Sequence, residues 1–335
     1  MLLSVPELVA AVVEPPMGLL ADAGRRRMLV LAGGVAFAVS LVLTGLAWSL
    51  AALLLAFALF YPASGAFASL SQSSLMDLQP DRREKNMARW TLVGSIGVVA
   101  GPVVLLVAVS AGVGWRGTFL LFAALTAPLV LLAARTTPAG ASETTMAAGL
   151  RAALSALRSW RIVRWLLLLA AGDLMGDVLT GYLALYMVDV AGVDPARAGA
   201  AVVVLAVAGL AGDTLLLPLL ERVPGTRHLR LSAMAVLLVY PAFLLLPGFI
   251  PKLVPLALLG LLRAGWYAVP QARLYDEIPE ASGSMLVLAN AAGLLGSSLP
   301  IVFGLAAQRA GFGMAMWLLM LGPVALLVLA ERRQS

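Results

Sequence analysis

Long apolar runs separated by short polar segments follow one another along the whole chain. Runs near 28–48, 51–75, 91–111, 116–134, 162–188, 199–220, 231–249, 253–273, 284–306 and 311–330 each approach the ~20 residues a helix needs to cross a ~30 Å hydrocarbon core. An eleventh, 1–17, is shorter. Apolar residues are continuous within each run and do not alternate, which excludes barrel strands. The pattern predicts an all-α polytopic membrane protein of 11 spans. It breaks over 135–161, first at Pro138, Gly140, Ser142, Glu143, Thr144 and Thr145. Leu150, Leu154 and Leu157 then recur at helical spacing with Arg151, Arg158 and Arg161 beside them, which suits either a helix at the headgroup layer or a solvated linker helix. The expected division is a five-helix bundle over 1–134, a linker over 135–161 and a six-helix bundle over 162–335.

The chain also matches itself without gaps at one offset, with Asp22 paired to Glu221, 199 residues on. The same step pairs Glu14 with Asp213, Gln72 with Gln271, Asp77 with Asp276, Pro80 with Pro279, Gly97 with Gly296 and Gly112 with Gly311. Coincidences of Leu and Ala mean little in so apolar a chain, whereas matched Asp, Gln, Pro and Gly in one register point to duplication. Two pseudo-symmetric helical bundles follow. Because the offset maps residue 1 onto residue 200, the 162–188 helix has no counterpart in the first half. The expectation is twelve spans minus the first, with a frame that begins upstream; a native N-terminus found at Met1 by mass spectrometry would refute it.

Composition agrees with a membrane setting. Hydrophobic residues make up 61% and charged residues 12% of the 335, and mean hydropathy is +0.98, whereas soluble domains are about a quarter charged. The net charge of +6 does not indicate nucleic acid, because most of the 23 Lys and Arg residues fall in alternate loops. Only Arg116, Arg197, Lys252 and Arg309 occupy the opposite loops. The positive-inside rule then makes the richer side, and the C-terminus, cytoplasmic. There is no cysteine, and His228, in a charged loop, is the single histidine, so no metal site is expected. No G-x-x-x-x-G-K loop occurs, which removes ATP as direct fuel. No cofactor is called for. Two lysines among many arginines, with abundant Ala and Gly, suggest a high-GC bacterial proteome and hence a bacterial plasma membrane.

One polar turn carries a motif. GLLADAGRRR, from Gly18 to Arg27, resembles the major facilitator superfamily signature G-x-L-A-D-R-x-G-R-R, although the basic residue after the acid is missing. A second copy, LPLLERVPGTR from Leu217, keeps Glu221, Arg222, Gly225 and Arg227. Trp115, Arg116 and Phe119 resemble that family's W-R-x-x-F, and Gly97, Gly101 and Pro102 resemble its antiporter motif without the later glycines. The resemblance covers nearly the whole chain and implies a drug-efflux-like secondary transporter. On physical grounds, Asp22 at a helix end suits the positive N-terminus of a neighbouring helix, Gly18 allows two helices to touch, and Arg25 and Arg26 offer partners to the acid. Gly18, Asp22, Gly24, Arg25, Arg26, Glu221 and Arg222 are therefore a candidate cytoplasmic gate. Gly97, Gly101 and Pro102 are candidates for close helix packing and bending.

Ionisable groups inside spans cost at least ~2.5 kcal/mol each and are candidate functional groups by default. Asp173 and Asp177 stand one turn apart on the 162–188 helix, with Gly172 and Gly176 before them. Glu14 and Asp213 each precede the acid of their own half by eight residues, ~12 Å of helix rise, and Arg263 lies mid-span. Two carboxylates so close in low dielectric do not readily both ionise, which makes proton coupling natural. The alternative for these acids is pairing with Arg263 or capping helices. Excess acid favours a cationic or amphipathic substrate. The expected partners are a small-molecule substrate, protons and the lipid bilayer, with the protein a monomer. Three readings stay open: proton-coupled efflux, uptake symport of a small metabolite, and a truncated relative that does not transport. If Asp22 is a latch, Asp22→Asn lowers transport while leaving membrane insertion intact, the lost interaction being about 1 kcal/mol; flux and membrane-fraction yield measured side by side check it, and unchanged flux would remove the latch.

Overall fold

The computed structural model describes residues 4–135, 145–278 and 282–330, and among them only helices and turns occur. Pro138, Gly140, Ser142, Glu143, Thr144 and Pro279 lie outside the described residues. The helices follow the apolar runs. In order they are α1 (Ser4–Leu20), α2 (Arg26–Leu46), α3 (Leu50–Ser64), α4 (Leu70–Leu78), α5 (Arg83–Ser110), α6 (Gly114–Arg135), α7 (Met146–Ala156), α8 (Trp160–Asp173), α9 (Leu179–Asp189), α10 (Pro195–Leu219), α11 (Gly225–Leu245), α12 (Phe249–Leu262), α13 (Ala268–Glu277), α14 (Met285–Ala310), α15 (Phe312–Trp317) and α16 (Leu321–Leu329). Seven helical stretches among the described residues are long and apolar enough to cross a membrane unaided. The chain is an all-α polytopic membrane protein.

Local chemistry sets the boundaries. The apolar stretch Leu8–Leu46 is 39 residues long, which as one helix would run ~58 Å, about twice a bilayer core. It is divided at Ala23 (ψ 26°) and Gly24 (φ 83°); the second conformation is left-handed and suits glycine, so α1 and α2 form a pair. Ser49 caps α3 by accepting from the Ala52 N–H at 3.1 Å, and Thr145 caps α7 through the Ala148 N–H at 3.3 Å. Asp194 accepts from the Arg197 N–H at 3.0 Å ahead of Pro195 at the first turn of α10, a favourable helix start.

Two spans carry π-turns, Gly65–Ser69 between α3 and α4 and Leu174–Val178 between α8 and α9. The predicted continuous span over 253–273 is instead broken by a turn at 263–267, where Gly265 has φ 84°. His228 is not a loop residue as expected. It lies in α11, its Nε2 2.8 Å from the Ala264 carbonyl oxygen. Lys252, expected in a loop, is buried and donates to the Phe243 carbonyl at 2.7 Å, capping the end of α11.

Packing groups the chain into two units. One comprises Met1–Asp81, Ala100–Ser159 and Tyr275–Ala291; the other comprises Arg82–Val99, Trp160–Leu274 and Ala292–Ser335. In the first, Ala21, Val30, Leu70 and Leu286 form a buried cluster with Leu29, Phe67 and Ala133 against it. In the second, α10 and α12 approach closely because Gly260 and Gly212 face backbone: a methyl at Gly260 would stand 2.7 Å from Leu205 O and Ala208 Cβ, and one at Gly212 2.7 Å from Leu261 O. Large apolar side chains such as Leu55, Leu106, Leu238 and Val328 point outward, as a lipid-facing surface requires. Gly112 and Gly311, matched in the repeat, both take positive φ, 76° and 86°.

The close approach expected at Gly97 and Gly101 is not seen, since a methyl at either would meet nothing within 4 Å among the described residues. α5 also runs unbroken through Pro102. Gly260→Leu is expected to lower stability by about 1–3 kcal/mol through overpacking, whereas Gly97→Ala leaves it level or raises it by about 0.5–1 kcal/mol; thermal unfolding in detergent separates the two.

Candidate functional site

The second unit places four of the intramembrane residues singled out by sequence around one cavity of about 490 Å³, within the range of small-molecule sites. Asp173 ends α8 and Asp177 lies in the π-turn that follows. Both carboxylates line the cavity. Neither has a hydrogen-bond partner among the described residues. Asp213 of α10 completes the acidic set. It is 7% exposed and accepts from Ser95 Oγ of α5 at 2.5 Å.

Arg263 faces the same space but is not held by the acids. Its guanidinium Nη1 donates to the Met175 carbonyl, lies 3.3 Å from the Gly176 carbonyl oxygen and 3.3 Å from Thr180 Oγ1. These are groups of the π-turn and the helix beyond it. A π-turn loosens the regular i→i−4 ladder, and Arg263 donates to the Met175 carbonyl within it. No ion pair of Arg263 occurs among the described residues, so the pairing of buried acids with this arginine, which the sequence allows, is not the observed arrangement.

The turn carrying Arg263 is held from α11. His228 meets Ala264 O, and Trp266 Nε1 donates to Ser232 Oγ at 2.8 Å. Gly172 lets α8 come close, since a methyl there would stand 3.2 Å from Trp266 O. The cavity therefore carries three carboxylates, one guanidinium already engaged by backbone, the hydroxyls of Thr91, Ser95 and Thr180, and the exposed ring of Tyr267. It is chemically suited to a proton or a small cation.

The first unit holds the other residues. Asp22 is 1% exposed and meets the start of α14: Gly283 N–H donates to Oδ1 at 2.7 Å, while Ser284 N–H and Oγ donate to Oδ2 at 2.7 and 2.6 Å. Such a helix N-terminus is a partner that the sequence argument finds suited to that acid. Gly18 makes it possible, because a side chain there would collide with the Gly283 carbonyl. Arg26 bridges Asp22 at 3.5 Å and Asp77 at 2.6 Å, while Gly24 and Arg25 are exposed. Glu14 is not in the acidic cavity; its Oε2 accepts from Asn290 Nδ2 at 2.9 Å. In the second unit Glu221, 57% exposed, pairs with Lys85, and Arg222 is exposed. The Lys85 hydrogen bond and then its charge pull the Glu221 carboxyl below its usual range, so this pair persists at ordinary pH and is lost only as pH falls through that lowered value.

The two contacts are equivalent under the repeat. Asp22 corresponds to Glu221, and Lys85 corresponds to Ser284, 199 residues on. Sequence reasoning missed Ser95, Thr180, Lys85 and Gly283 as partners, and only the repeat register could have pointed to Lys85 and Ser284.

A model of the Major Facilitator Superfamily matches residues 1–301. Among curated proteins, none matches the chain. Solved structures do. The E. coli Fucose:proton symporter FucP superposes with a TM-score of 0.81 at 16% identity, covering 98% of this chain and 90% of that one. FucP in the outward conformation gives 0.78 at 16% identity over 98% and 88%. The human organic anion transporter MFSD10 (TETRAN) gives 0.74 at 20% identity over 98% and 82%. These likenesses establish the shared fold, and with a family model matching from residue 1 to residue 301, the chain belongs to the Major Facilitator Superfamily.

Proposed function

We propose that this protein is a proton-coupled secondary transporter that exports small cationic or amphipathic compounds by alternating access. The observation that carries the reading is the convergence of Asp173, Asp177 and Asp213 on one cavity whose only guanidinium is engaged by backbone carbonyls. Ionised together one turn apart, Asp173 and Asp177 repel each other, and a proton or a cation relieves that repulsion. A proton and a cationic substrate thus compete for the same charge, which is the requirement of an antiporter. A proton held by the Asp173/Asp177 pair in one conformer leaves when the cation arrives in the other. Asp22 and its partners Gly283 and Ser284, in the turn that leads into α14, act as the gate on the cytoplasmic side, with Glu221 and Lys85 as the second copy. The protein works as a monomer in a bacterial plasma membrane, with its C-terminus cytoplasmic and a 1–134 bundle joined through 135–161 to a 162–335 bundle.

A second reading, uptake symport, is favoured by one comparison, since FucP is a fucose:proton symporter. It shares proton coupling and differs in direction. An anionic substrate, as in the name of the human relative, fits an acidic cavity poorly.

In inverted vesicles acidified inside, a panel of lipophilic cations is expected to elicit proton release. Asp173→Asn or Asp177→Asn abolishes it while protein yield stays level. Proton movement coupled to a neutral metabolite would transfer the assignment to uptake, and no response to any compound would withdraw both.

A further inference from the structure

We infer that Glu14 is a second proton-binding site, separate from the acidic cavity, whose charge controls how firmly α1 is zipped to the start of α14 and thereby the Asp22 latch. Glu14 and Gly18 share one face of α1, and Asp22 follows at the same four-residue interval just beyond its end. All three meet the same short stretch of α14 and the turn before it: Glu14 meets Asn290, Gly18 meets Gly283 and Leu286, and Asp22 meets Gly283 and Ser284. The three contacts make one seam, and what loosens one end loads the other.

The Glu14 end is built to respond to a proton. Oε2 has a single donor, the neutral Asn290 amide, and the carboxylate otherwise lies against the bare backbone of Gly65, where a methyl would collide with it. No cation faces it among the described residues. α3 and the π-turn Gly65–Ser69 carry no charge, and Tyr61 is the only titratable group on them. α14 is uncharged up to Arg309 at its far end, and on α7 the one charge is Arg151, which is exposed. On its own stretch of chain Glu7 stands seven residues before it, and Asp22 and Arg26, hydrogen-bonded to each other, lie two or more turns after it. An ionised Glu14 therefore draws on the Asn290 bond as a charge-assisted one, and a protonated Glu14 leaves a neutral bond of about half the strength. Pro15 and Pro16 follow at once within α1; each removes a helix hydrogen bond, so α1 is easily bent where the charge changes.

The absence of native cysteine gives a direct test in the full chain. Leu286→Cys places a thiol in the seam, where Leu286 is 3% exposed. Its rate of reaction with a membrane-permeant maleimide, divided by that of the exposed position in Arg158→Cys, reports opening without any substrate or gradient. We expect the normalised rate to rise roughly threefold to tenfold from neutral to mildly acidic pH, the response to vanish in Glu14→Gln, and the response to survive in Asp173→Asn. A flat profile in the parent, or a response unchanged by Glu14→Gln, overturns the inference. Asn290→Ala provides a second variant: a raised and pH-independent rate supports the seam, and an unaltered profile rejects it. Because no transport is measured, these outcomes stand apart from the exporter reading.

Discussion

Inside hydrocarbon, a backbone carbonyl or N–H without a partner costs several kcal/mol. Where this chain leaves the regular helix, that constraint decides what its side chains do. The π-turn at Leu174–Val178 loosens its ladder, and Arg263 supplies a donor to the Met175 carbonyl there. The broken helix at 263–267 exposes further groups, and His228 takes one of them while Ser232 anchors the adjacent indole. The start of α14 presents free N–H groups, and Asp22 accepts two of them. In each case a polar residue that is expensive in lipid is retained because a helix end or irregularity needs it. The cavity exists because two such irregularities face one another, and Asp173 and Asp177 flank one of them.

The duplicated halves use equivalent positions for different chemistry. Asp22 is buried with three short donors, while its counterpart Glu221 is exposed and salt-bridged to Lys85. An exposed ion pair of this kind contributes little, so the two gate contacts are unequal in strength. Glu14 and Asp213 are likewise equivalent in the repeat. One meets an amide in a seam between helices, and the other meets a hydroxyl at the wall of a cavity. The asymmetry places the acidic cavity in one unit and the α1–α14 seam in the other.

Much of the site is legible in the order of residues. Asp173 and Asp177 are one turn apart by helical spacing, and an acid at a helix end, preceded by glycine, anticipates a partner helix N-terminus. Gly97 and Gly101 depart from expectation because a glycine motif says that close approach is possible, not that a neighbour is there. The same holds for Arg263. Sequence places it mid-span opposite an excess of acids, and charge alone would pair it with one of them, but carbonyls released by a π-turn cannot be seen in a sequence.

The sequence by itself determined the class: eleven apolar runs, a repeat at one register, a one-sided distribution of arginine, and acids whose presence in lipid needs a reason. These follow from local periods and transfer energies, which depend on neighbours along the chain. Only the tertiary structure decided that Asp213 joins Asp173 and Asp177 whereas Glu14 does not. It also decided that Asp22 finds Gly283 and Ser284 and that Arg263 serves backbone. Those outcomes depend on which helix faces which across hundreds of residues, and a chain in which most spans are Leu, Ala and Val carries little local information about which apolar face packs on which.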